Sequence, residues 1–318
     1  MQNHQVRRFA KEGLNVLVVG CTHERYEQQL CLTGHNFVCL QHSKKWNNSY
    51  GNRPENYTLY NNLPSYICPD LILVHSSDDR LNIAVELSNY FKIPIIRHTH
   101  TLPTSNEEIV FFHKFRPHIE TFISEYSKNK WGPNTTNFVV DHGLDTSYWA
   151  PKSDVKHKHV LSVVNLWAQR DWACGWNLYQ EVKKLLPDVE FRVLGTNPGL
   201  SSPARSLEHL QEELSMCGVF LNTSLNSPIP MSLMEAMSCG APIVSTNTCM
   251  IPEVVKESGL LGQNATELAK HISSVLTNPQ SGVELSKMAR ERIVKDYNIQ
   301  KFIKKWNMVF DYAINNFK

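Results

Sequence analysis

The sequence predicts an α/β protein with two doubly wound domains, each built on a parallel sheet that helices cover on both faces. Short, continuously apolar segments alternate with longer amphipathic segments along the whole chain, and the apolar segments form two successive series. The length of 318 residues suits two domains of about 150 residues each. With 42% hydrophobic and 19% charged residues, the composition excludes disordered, collagen-like and coiled-coil chains.

Six candidate strands make up the first series, and each is short and apolar, as in a strand that is buried on both faces. They are 14–19, 37–40, 70–75, 94–98, 120–124 and 137–140. Helical periodicity predicts a helix over 81–91, and an earlier helix is expected to begin near Thr22. The segment 42–60 matches neither period. It is interpreted as a long loop, either a solvated surface loop or a functional one.

The second series has four candidate strands, which helical patterns separate. The strands are 159–164, 189–194, 218–223 and 241–246, and the helices are 175–186, 206–216 and 231–238. Only helices follow, at about 266–277, 281–296 and 299–316.

The segment 142–159 has glycine, proline, charges and no period, as expected of a linker. The predicted domains are therefore 1–148 and 149–298. The remaining segment, 299–318, carries apolar residues at helical spacing, and we expect this helix to cross back to the first domain.

The charges and cysteines exclude several classes of protein. The net charge is +2, and neither half contains a polybasic segment that would demand nucleic acid or an anionic membrane. No apolar run approaches the ~20 residues of a membrane span, so we expect a cytoplasmic, soluble protein. The eight cysteines include no CxxC pair and lie mostly in apolar runs, as buried free thiols do. Since HExxH and zinc-type spacings are absent too, we expect no metal ion and no cofactor.

In open parallel sheets, ligands bind beyond the carboxyl ends of the strands, so the turns after the strands are the places for chemistry. Gly20 closes the first strand before a helix, where a glycine lets the backbone approach a ligand and the helix N-terminus favours an anion. A tight turn also needs a glycine without any ligand. Neither GxGxxG nor GxxxxGK[ST] occurs, which argues against a dehydrogenase and a P-loop kinase.

The segment 222–255 carries the most specific motif. It reads NTSLNSPIPMSLMEAMSCGAPIVSTNTCMIPEVV, a strand, a Ser/Pro turn, a short helix, a second strand and a further helix start. From Glu235 to Val255 it resembles the donor-site signature of the family 4 retaining glycosyltransferases, with Glu-Ala-Met, small-Gly-x-Pro and Ile-Pro-Glu in order. Looser similarities follow the family's order at 93–100, 122–132 and 138–151. The motif sequence Ser-Pro-Ile-Pro…Glu-Ala-Met is similar to that of compact members of this family from phages and bacteria.

The resemblance implies the GT-B fold, in which two Rossmann-like domains face a cleft and a C-terminal helix crosses back to the first domain. It also implies transfer of a sugar from a nucleotide diphosphate sugar with retention of configuration. The first domain would bind the acceptor, and the second would bind the donor. No DxD motif occurs, in agreement with the metal-independent donor binding of this fold. The alternative is a GT-B protein that binds a nucleotide sugar without transferring it.

The resemblance assigns donor-binding roles around the short helix. Glu235 would hold the ribose hydroxyls through charge-assisted hydrogen bonds. The helix N-terminus at 229–233, which includes Ile229, Met231 and Ser232, would face the diphosphate. A purely structural alternative exists, because Ser232-x-x-Glu235 also spells a capping box.

The chain departs from the family pattern at two places. Ser227 takes the place of the first motif Glu, which normally contacts the transferred sugar, and the prolines after it remove backbone donors. In the segment 165–176, Cys174 takes the place of the family Lys, so Arg170 is the cation left to meet the leaving diphosphate. A plain surface arginine is the alternative for this residue. Asn165, which opens the segment, is included in the predicted donor site.

His100 lies six residues after Pro94, the spacing of the cleft histidine that orients the sugar in the family. It is therefore assigned, with Arg170, as a catalytic residue. His98 lies two residues earlier on the same face of the strand and is the rival. For either histidine, the structural alternative is a buried ring whose nitrogens are hydrogen-bonded within the protein.

The acceptor is the least determined part of the prediction. Apart from the 42–60 loop, the candidate contacts are His23, Glu24, Arg25 and His98. A saccharide is the acceptor that the resemblance implies, and a small molecule or a protein is left open. A hydroxymethylated pyrimidine in DNA is the alternative, favoured by Lys44, Lys45 and Arg53 among aromatic residues. The zero net charge of the first domain opposes it, since phosphate contacts dominate DNA affinity.

Overall fold

The computed structural model describes residues 13–40, 46–48, 51–75, 80–227 and 230–317. The chain divides into two compact units. The first comprises the residues up to Gly143 together with Gln300 and the residues after it, and the second comprises Leu144–Ile299. Each unit is an α/β structure with a parallel sheet, so the predicted pair of Rossmann-like domains is confirmed.

The first unit contains a seven-stranded sheet. Its strands are β1 (Asn15–Val19), β2 (Asn36–Leu40), β3 (Tyr57–Tyr60), β4 (Leu71–Val74), β5 (Ile95–Thr99), β6 (Ile119–Phe122) and β7 (Thr136–Val139). The helices between them are α1 (Glu24–Cys31), α2 (Arg80–Phe91), α3 (Asn106–Lys114) and α4 (Glu125–Trp131). The strand order β3-β2-β1-β4-β5-β6-β7 reverses its direction of winding between β1 and β4. At such a switch point the carboxyl ends of the strands leave room for a ligand.

The second unit contains a five-stranded sheet. Its strands are β8 (His159–Val163), β9 (Glu190–Leu194), β10 (Val219–Asn222), β11 (Ile243–Thr246) and β12 (Leu260–Gly262). Its helices are α5 (Asp171–Cys174), α6 (Trp176–Leu185), α7 (Leu207–Met216), α8 (Met231–Ser238), α9 (Ile251–Val255), α10 (Ala265–Thr277) and α11 (Pro279–Asp296). The order β12-β11-β10-β8-β9 places the switch point between β8 and β10. This is the flavodoxin-like order.

The last helix, α12 (Ile299–Asn316), belongs to the first unit from Gln300 onward. Its buried face consists of Phe302, Trp306, Val309, Phe310 and Ala313. The Phe310 ring lies 5.1 Å from the Trp306 ring and 6.4 Å from that of Phe37 on β2. Burial of such side chains contributes roughly 1.5–3 kcal/mol each, which explains why the helix returns to this sheet. The predicted return of the helix to the first domain is confirmed.

A buried ion pair joins β5 to β6. The Arg97 guanidinium donates to the Glu120 carboxylate and, at 2.8 Å, to the carbonyl oxygen of Phe112. It also lies over the Phe112 ring, 3.4 Å from the ring centroid. Buried charges are tolerated only when they are paired in this way, so the pair explains how an arginine occupies a fully buried strand.

Candidate active site

Functional candidates of the first unit follow its strands near the switch point. Gly20 follows β1, His75 follows β4 and His100 follows β5. Because the strands are parallel, these positions lie at one edge of the sheet. Gly20 has φ +77°, and a Cβ on it would lie 2.7 Å from the Arg80 guanidinium. The turn therefore favours glycine for its own geometry, and the contact of Gly20 with a donor stays a prediction.

A chain of hydrogen bonds runs from α12 into the sheet. Trp306 Nε1 donates to the Tyr26 hydroxyl at 3.1 Å, and this hydroxyl lies 2.7 Å from His98 Nε2. His98 Nδ1 lies 2.7 Å from the Thr121 hydroxyl, which donates to the carbonyl oxygen of Arg97 over 3.4 Å. The indole N–H at one end only donates and the carbonyl at the other end only accepts, whereas each hydroxyl between them can do both. Both ring nitrogens of His98 are therefore bonded to hydroxyl groups.

This chain places His98 in the interior of the first unit. Its exposed fraction is 1%, both ring nitrogens are bonded, and the ring stacks on that of Tyr26 with 5.2 Å between centroids. A ring without free nitrogens or accessible surface has no group to offer a ligand. The placement favours the interior-histidine alternative for His98 over the predicted acceptor contact.

A second set of contacts ends at His100. The half-buried His100 has its Nε2 3.0 Å from Nδ1 of His75. The His75 side chain is 1% exposed, and its Nε2 lies 3.6 Å from Oε1 of Glu27 on α1. Glu27 is fully buried, and its Oε1 accepts the backbone N–H of Thr22 at 2.8 Å and the Thr22 hydroxyl at 3.0 Å. A carboxylate and two imidazoles therefore lie in one series, called here the Glu27–His75–His100 line.

Burial determines the charge states in this region. It lowers the pKa of His75 to about 3 and that of His142 to about 4, and it lowers the pKa values of His98 and His100 well below their usual range. These rings are therefore neutral at pH 7. Burial also raises the pKa of Glu27 to about 7, against the opposing hydrogen bonds from Thr22. In each case desolvation disfavours the charged form.

The predicted acceptor residues lie at the start of α1. His23 is exposed and caps the helix, because its Nδ1 accepts the backbone N–H of Arg25 at 3.3 Å. Glu24 is 4% exposed, and its carboxylate accepts the backbone N–H of Asn47 at 3.3 Å. Arg25 is half-buried. Of the three, His23 presents the most accessible side chain, and their contact with an acceptor stays a prediction.

In the second unit, two asparagines join the loops that follow β8 and β9. Asn165 Oδ1 accepts the backbone N–H of Thr196 at 2.8 Å. Asn197 donates to the carbonyl of Val164 at 2.7 Å and accepts the backbone N–H of Trp167 at 2.8 Å. Asn165 therefore has a structural role in addition to its predicted donor contact. A cavity of about 400 Å³ beside these loops is lined by Ala168, Gln169, Trp176, Tyr179, Gln180, Lys183, Asn197, Pro198, Gly199 and Leu200.

The loop after β8 also packs against the end of β10. The carbonyl of Cys174 accepts the indole N–H of Trp167 at 2.8 Å and the hydroxyl of Thr223 at 2.9 Å. Gly175 has φ +67°, and a Cβ on it would lie 2.1 Å from the Thr223 carbonyl oxygen, so only glycine fits. Cys174 is 7% exposed, and burial raises the pKa of its thiol, so no cation replaces the family Lys there. Arg170 is exposed in the turn before α5.

Glu235 lies on α8, which follows β10, and is 2% exposed. The helix begins after Pro230, and no side chain caps it. Ser232 lies inside the helix, and its hydroxyl donates to the Val163 carbonyl at 3.2 Å. A capping box requires the serine to precede the helix, so the structural alternative for Ser232-x-x-Glu235 is wrong. Helix capping therefore does not account for the Ser232-x-x-Glu235 pattern.

The predicted donor residues of the second unit follow two neighbouring strands, β8 and β10. Those that the structure describes are Asn165, Arg170, Ser227, Met231, Ser232 and Glu235. Ser227 and Met231 are half-buried. Ile229 lies outside the described residues, as do Lys44 and Lys45 of the predicted acceptor loop.

Sequence reasoning missed most of the polar interior of the first unit. His75 closes the predicted strand 70–75, so the rule that singled out Gly20 could have found it as well. Glu27 has no such signal, because an exposed helical glutamate and a buried one look alike in a sequence. Tyr26 and Trp306 likewise read as ordinary core residues of their helices.

A comparison with known families agrees with the second unit's site. Residues 202–292 match the family model described as Glycosyl transferases group 1. This segment of the chain is therefore similar to the group 1 glycosyltransferases. It contains β10, α8 and Glu235, which are the elements of the predicted donor site.

Individual proteins show the same likeness. An uncharacterized glycosyltransferase of Haemophilus influenzae is 24% identical over 208 residues, 58% of this chain and 58% of that protein. The chain spans about half the length of the curated relatives it matches. Sucrose-phosphate synthase of Thermosynechococcus elongatus superposes with a TM-score of 0.75 and 13% identity, over 95% of this chain and 99% of that chain. Anabaena HepE, solved with UDP and glucose, gives a TM-score of 0.72 and 14% identity, over 94% and 99%.

These likenesses to solved glycosyltransferases show the fold, which is of the GT-B type. Among the helices of the described residues, none is both long and apolar enough to span a bilayer.

Proposed function

We propose that this protein is a retaining glycosyltransferase, which moves a sugar from a nucleotide diphosphate sugar to a hydroxyl of a saccharide acceptor. The observation that carries the proposal is the buried Glu235 on α8, at the carboxyl end of β10 and inside the segment that matches the group 1 family model. A carboxylate accepts hydrogen bonds from two neighbouring hydroxyls, as a ribose presents them. Burial strengthens such charge-assisted bonds, because water competes less for them.

The diphosphate binds, in this proposal, at the amino end of α8. The first N–H groups of a helix have no partner within it, and Pro230 offers no side-chain cap. The aligned peptide dipoles attract an anion to the same end. Arg170, exposed in the loop after the neighbouring strand β8, supplies the positive charge that meets the leaving diphosphate.

Positioning and charge stabilisation provide the rate enhancement in this mechanism. The bond between the anomeric carbon and the diphosphate breaks, and the acceptor hydroxyl forms the new bond on the same face, with its proton passing to the departing phosphate. His100 of the first unit orients the sugar hydroxyls. We propose that donor binding uses no metal ion and no cofactor.

Donor binding tests the proposal directly. Thermal shift and isothermal titration calorimetry with UDP, GDP, ADP and CMP sugars should identify one donor that stabilises the protein. Glu235→Gln should weaken that donor by at least about tenfold, since it removes the charge from two hydrogen bonds. The matched control is Glu257→Gln, an exposed glutamate of the same unit, which should bind as the wild type does. A wild-type protein that binds none of these donors would contradict the proposal.

A second candidate is a protein that binds a nucleotide sugar without transferring it. Two observations favour it: the buried Cys174 in the place of the family Lys, and Ser227 in that of the sugar-contacting Glu. Slow hydrolysis of the bound donor without acceptor separates the two. A transferase should release free sugar at a measurable rate, whereas a binding protein leaves the donor intact over the same hours.

The acceptor class requires its own experiment. A saccharide acceptor predicts no affinity for duplex DNA at low salt in a gel-shift assay. The DNA alternative predicts binding that weakens steeply with salt and is lost in a Lys44/Lys45/Arg53→Ala variant. Of these three residues, Arg53 is described and exposed.

A further inference from the structure

The proposed transfer assigns a role to His100 but none to Glu27 or His75, the other two members of the Glu27–His75–His100 line. The line begins at a fully buried carboxylate and ends at a half-buried ring. Burying such groups is unfavourable unless their interactions compensate for it. The protonation of each member therefore follows from its neighbours.

Glu27 determines which nitrogen of His75 carries the proton. His75 Nε2 lies 3.6 Å from Glu27 Oε1, beyond hydrogen-bond distance, and no hydrogen-bond partner of this nitrogen lies among the described residues. A proton on Nε2 is attracted by the carboxylate, whereas a lone pair there would be repelled. Glu27 has a pKa of about 7, so above pH 7 the side chain is a carboxylate, and its Oε1 accepts two hydrogen bonds from Thr22. His75 is therefore protonated on Nε2, and its Nδ1 is an acceptor.

The state of His100 follows from that of His75. Because His75 Nδ1 accepts, His100 Nε2 must donate across the 3.0 Å between them. A neutral imidazole carries one proton, so Nδ1 of His100 holds a lone pair. Within the described part of the chain this Nδ1 has no hydrogen-bond partner, and the ring is half-buried. It is thus ready to accept a hydrogen bond from a ligand.

We propose that Glu27 and His75 are positioning residues that hold His100 in the tautomer whose Nδ1 accepts a hydrogen bond from a sugar hydroxyl. The identity of the ligand rests on the proposed function. The tautomer of His100 does not, since it follows from contacts within the first unit alone.

The other groups that face Glu27 and His75 do not replace Glu27 in determining the tautomer of His75. They are Cys21, Thr22, Tyr26, Cys31, Cys39, Tyr57, Arg80 and His98. Burial raises the pKa values of Cys31 and Tyr57 far above neutrality, and contact with Cys21, together with burial, does the same for Cys39. Arg80 keeps its positive charge and further disfavours protonation of His75. Glu27 has a pKa of about 7, so the control strengthens as pH rises through 7.

Nitrogen-15 NMR of the histidine side chains tests the tautomer on the full chain, independently of any ligand. The His100 signals are identified by their loss in His100→Phe. At pH 8 the wild type should show the His100 proton on Nε2. Glu27→Gln keeps the size and the acceptor of the side chain but removes the charge, and it should populate the Nδ1-protonated form. A wild-type His100 protonated on Nδ1, or a His100 that Glu27→Gln leaves unchanged, would overturn the proposal.

Donor hydrolysis tests the consequence for the reaction. With the donor that the wild type binds, Glu27→Gln should lower kcat by at least about tenfold and abolish the rise of rate through pH 7, since a wrong tautomer disables an orienting histidine. Affinity for the free nucleoside diphosphate should not change, because the proposed nucleotide contacts lie in the second unit and do not involve His100. Glu86→Gln, an exposed glutamate of α2, should match the wild type in both.

The two proposals fail in different ways. A wild type that neither binds nor hydrolyses any donor contradicts the proposed function, while the NMR result still decides the tautomer. A wild type that turns over donor, with Glu27→Gln showing the same kcat and pH profile, contradicts the positioning role alone. Urea unfolding of Glu27→Gln at pH 8 separates misfolding from the expected loss, because a variant that unfolds cooperatively only after urea is added is folded in the urea-free assay.

Discussion

Trp306 and Tyr26 lie 280 residues apart in the chain, and the indole N–H of Trp306 donates a hydrogen bond to the Tyr26 hydroxyl at 3.1 Å. Both side chains are buried. The same hydroxyl is hydrogen-bonded to His98 Nε2 at 2.7 Å, so α12 completes a chain of hydrogen bonds that ends inside the first sheet. The last helix therefore contributes polar contacts to the first unit as well as apolar surface.

Trp306→Phe tests this contribution, because it keeps an aromatic ring and removes the N–H donor. Loss of one buried hydrogen bond should destabilise the protein by about 1–2 kcal/mol, and the smaller ring adds to this. Urea unfolding measures the change. Trp172→Phe is the control, since Trp172 is 60% exposed and its replacement should change the free energy of unfolding by less than about 0.5 kcal/mol. Equal stability of Trp306→Phe and the wild type would show that the bond contributes nothing.

How much of the fold the sequence predicts depends on burial. Strands β1 and β4 are buried along their whole length, so they read as continuous apolar segments and were predicted. Strand β3 lies at the sheet edge with one buried residue, Tyr57, and it falls in the unassigned segment 42–60. β12 has three residues, too few to show a period. The missed strands, β3 and β12, are therefore short strands at the sheet edges.

The candidate site divides in a similar way. Glu235 and its neighbours form one contiguous motif, so the sequence alone was enough to propose them. Tyr26 and Glu27 acquire their roles from residues far along the chain, namely His75 and Trp306. A single sequence carries no signal for such contacts, because burial and pairing arise only when the sheet and α12 come together.

The neutral histidines of the first unit should make it sensitive to acid. Burial lowers the pKa values of His75, His98, His100 and His142, and it also lowers those of His35 and His118. Below pH 6.5 the unfolded chain binds protons at these rings and the folded protein does not, so stability is present above pH 6.5 and is lost as pH falls. Glu27 has the opposite sign between pH 7 and 4.5, because its folded-state pKa is raised. Because the histidines with lowered pKa values outnumber Glu27, we expect a net loss of at least about 3 kcal/mol between pH 6.5 and 5.0.

Urea unfolding at a series of pH values measures this loss. His142→Gln should reduce the slope of the unfolding free energy against pH by the equivalent of about one proton. His23→Gln, which changes an exposed ring, should leave this slope unchanged. A stability that stays constant between pH 6.5 and 5.0 would mean that these rings bind protons equally well in the folded protein.

Two glycines of the second unit separate backbone strain from close packing. Gly175 and Gly199 both have positive φ, +67° and +77°, so alanine is strained at either position by roughly 1–2 kcal/mol. A Cβ on Gly199 would meet nothing within 4 Å, whereas one on Gly175 would lie 2.1 Å from the Thr223 carbonyl. Gly175→Ala should therefore lower the melting temperature clearly more than Gly199→Ala. It should also weaken donor binding, because it displaces the end of β10. Equal melting temperatures of the two variants would refute the close contact.

Arg290 on α11 holds the segment that opens the second unit. Its Nη1 donates to the carbonyls of Trp149 at 2.6 Å and Ser238 at 2.8 Å, and its Nη2 donates to the carbonyl of Thr146 at 2.8 Å. Arg290→Lys keeps the charge but cannot reproduce the planar fork, so at least one of these carbonyls loses its partner. We expect a loss of about 2–3 kcal/mol in urea unfolding. Lys287→Met, one turn earlier on the same helix and 77% exposed at its side chain, should unfold as the wild type does. If Arg290→Lys also unfolds like the wild type, charge alone anchors the segment and the fork geometry is unimportant.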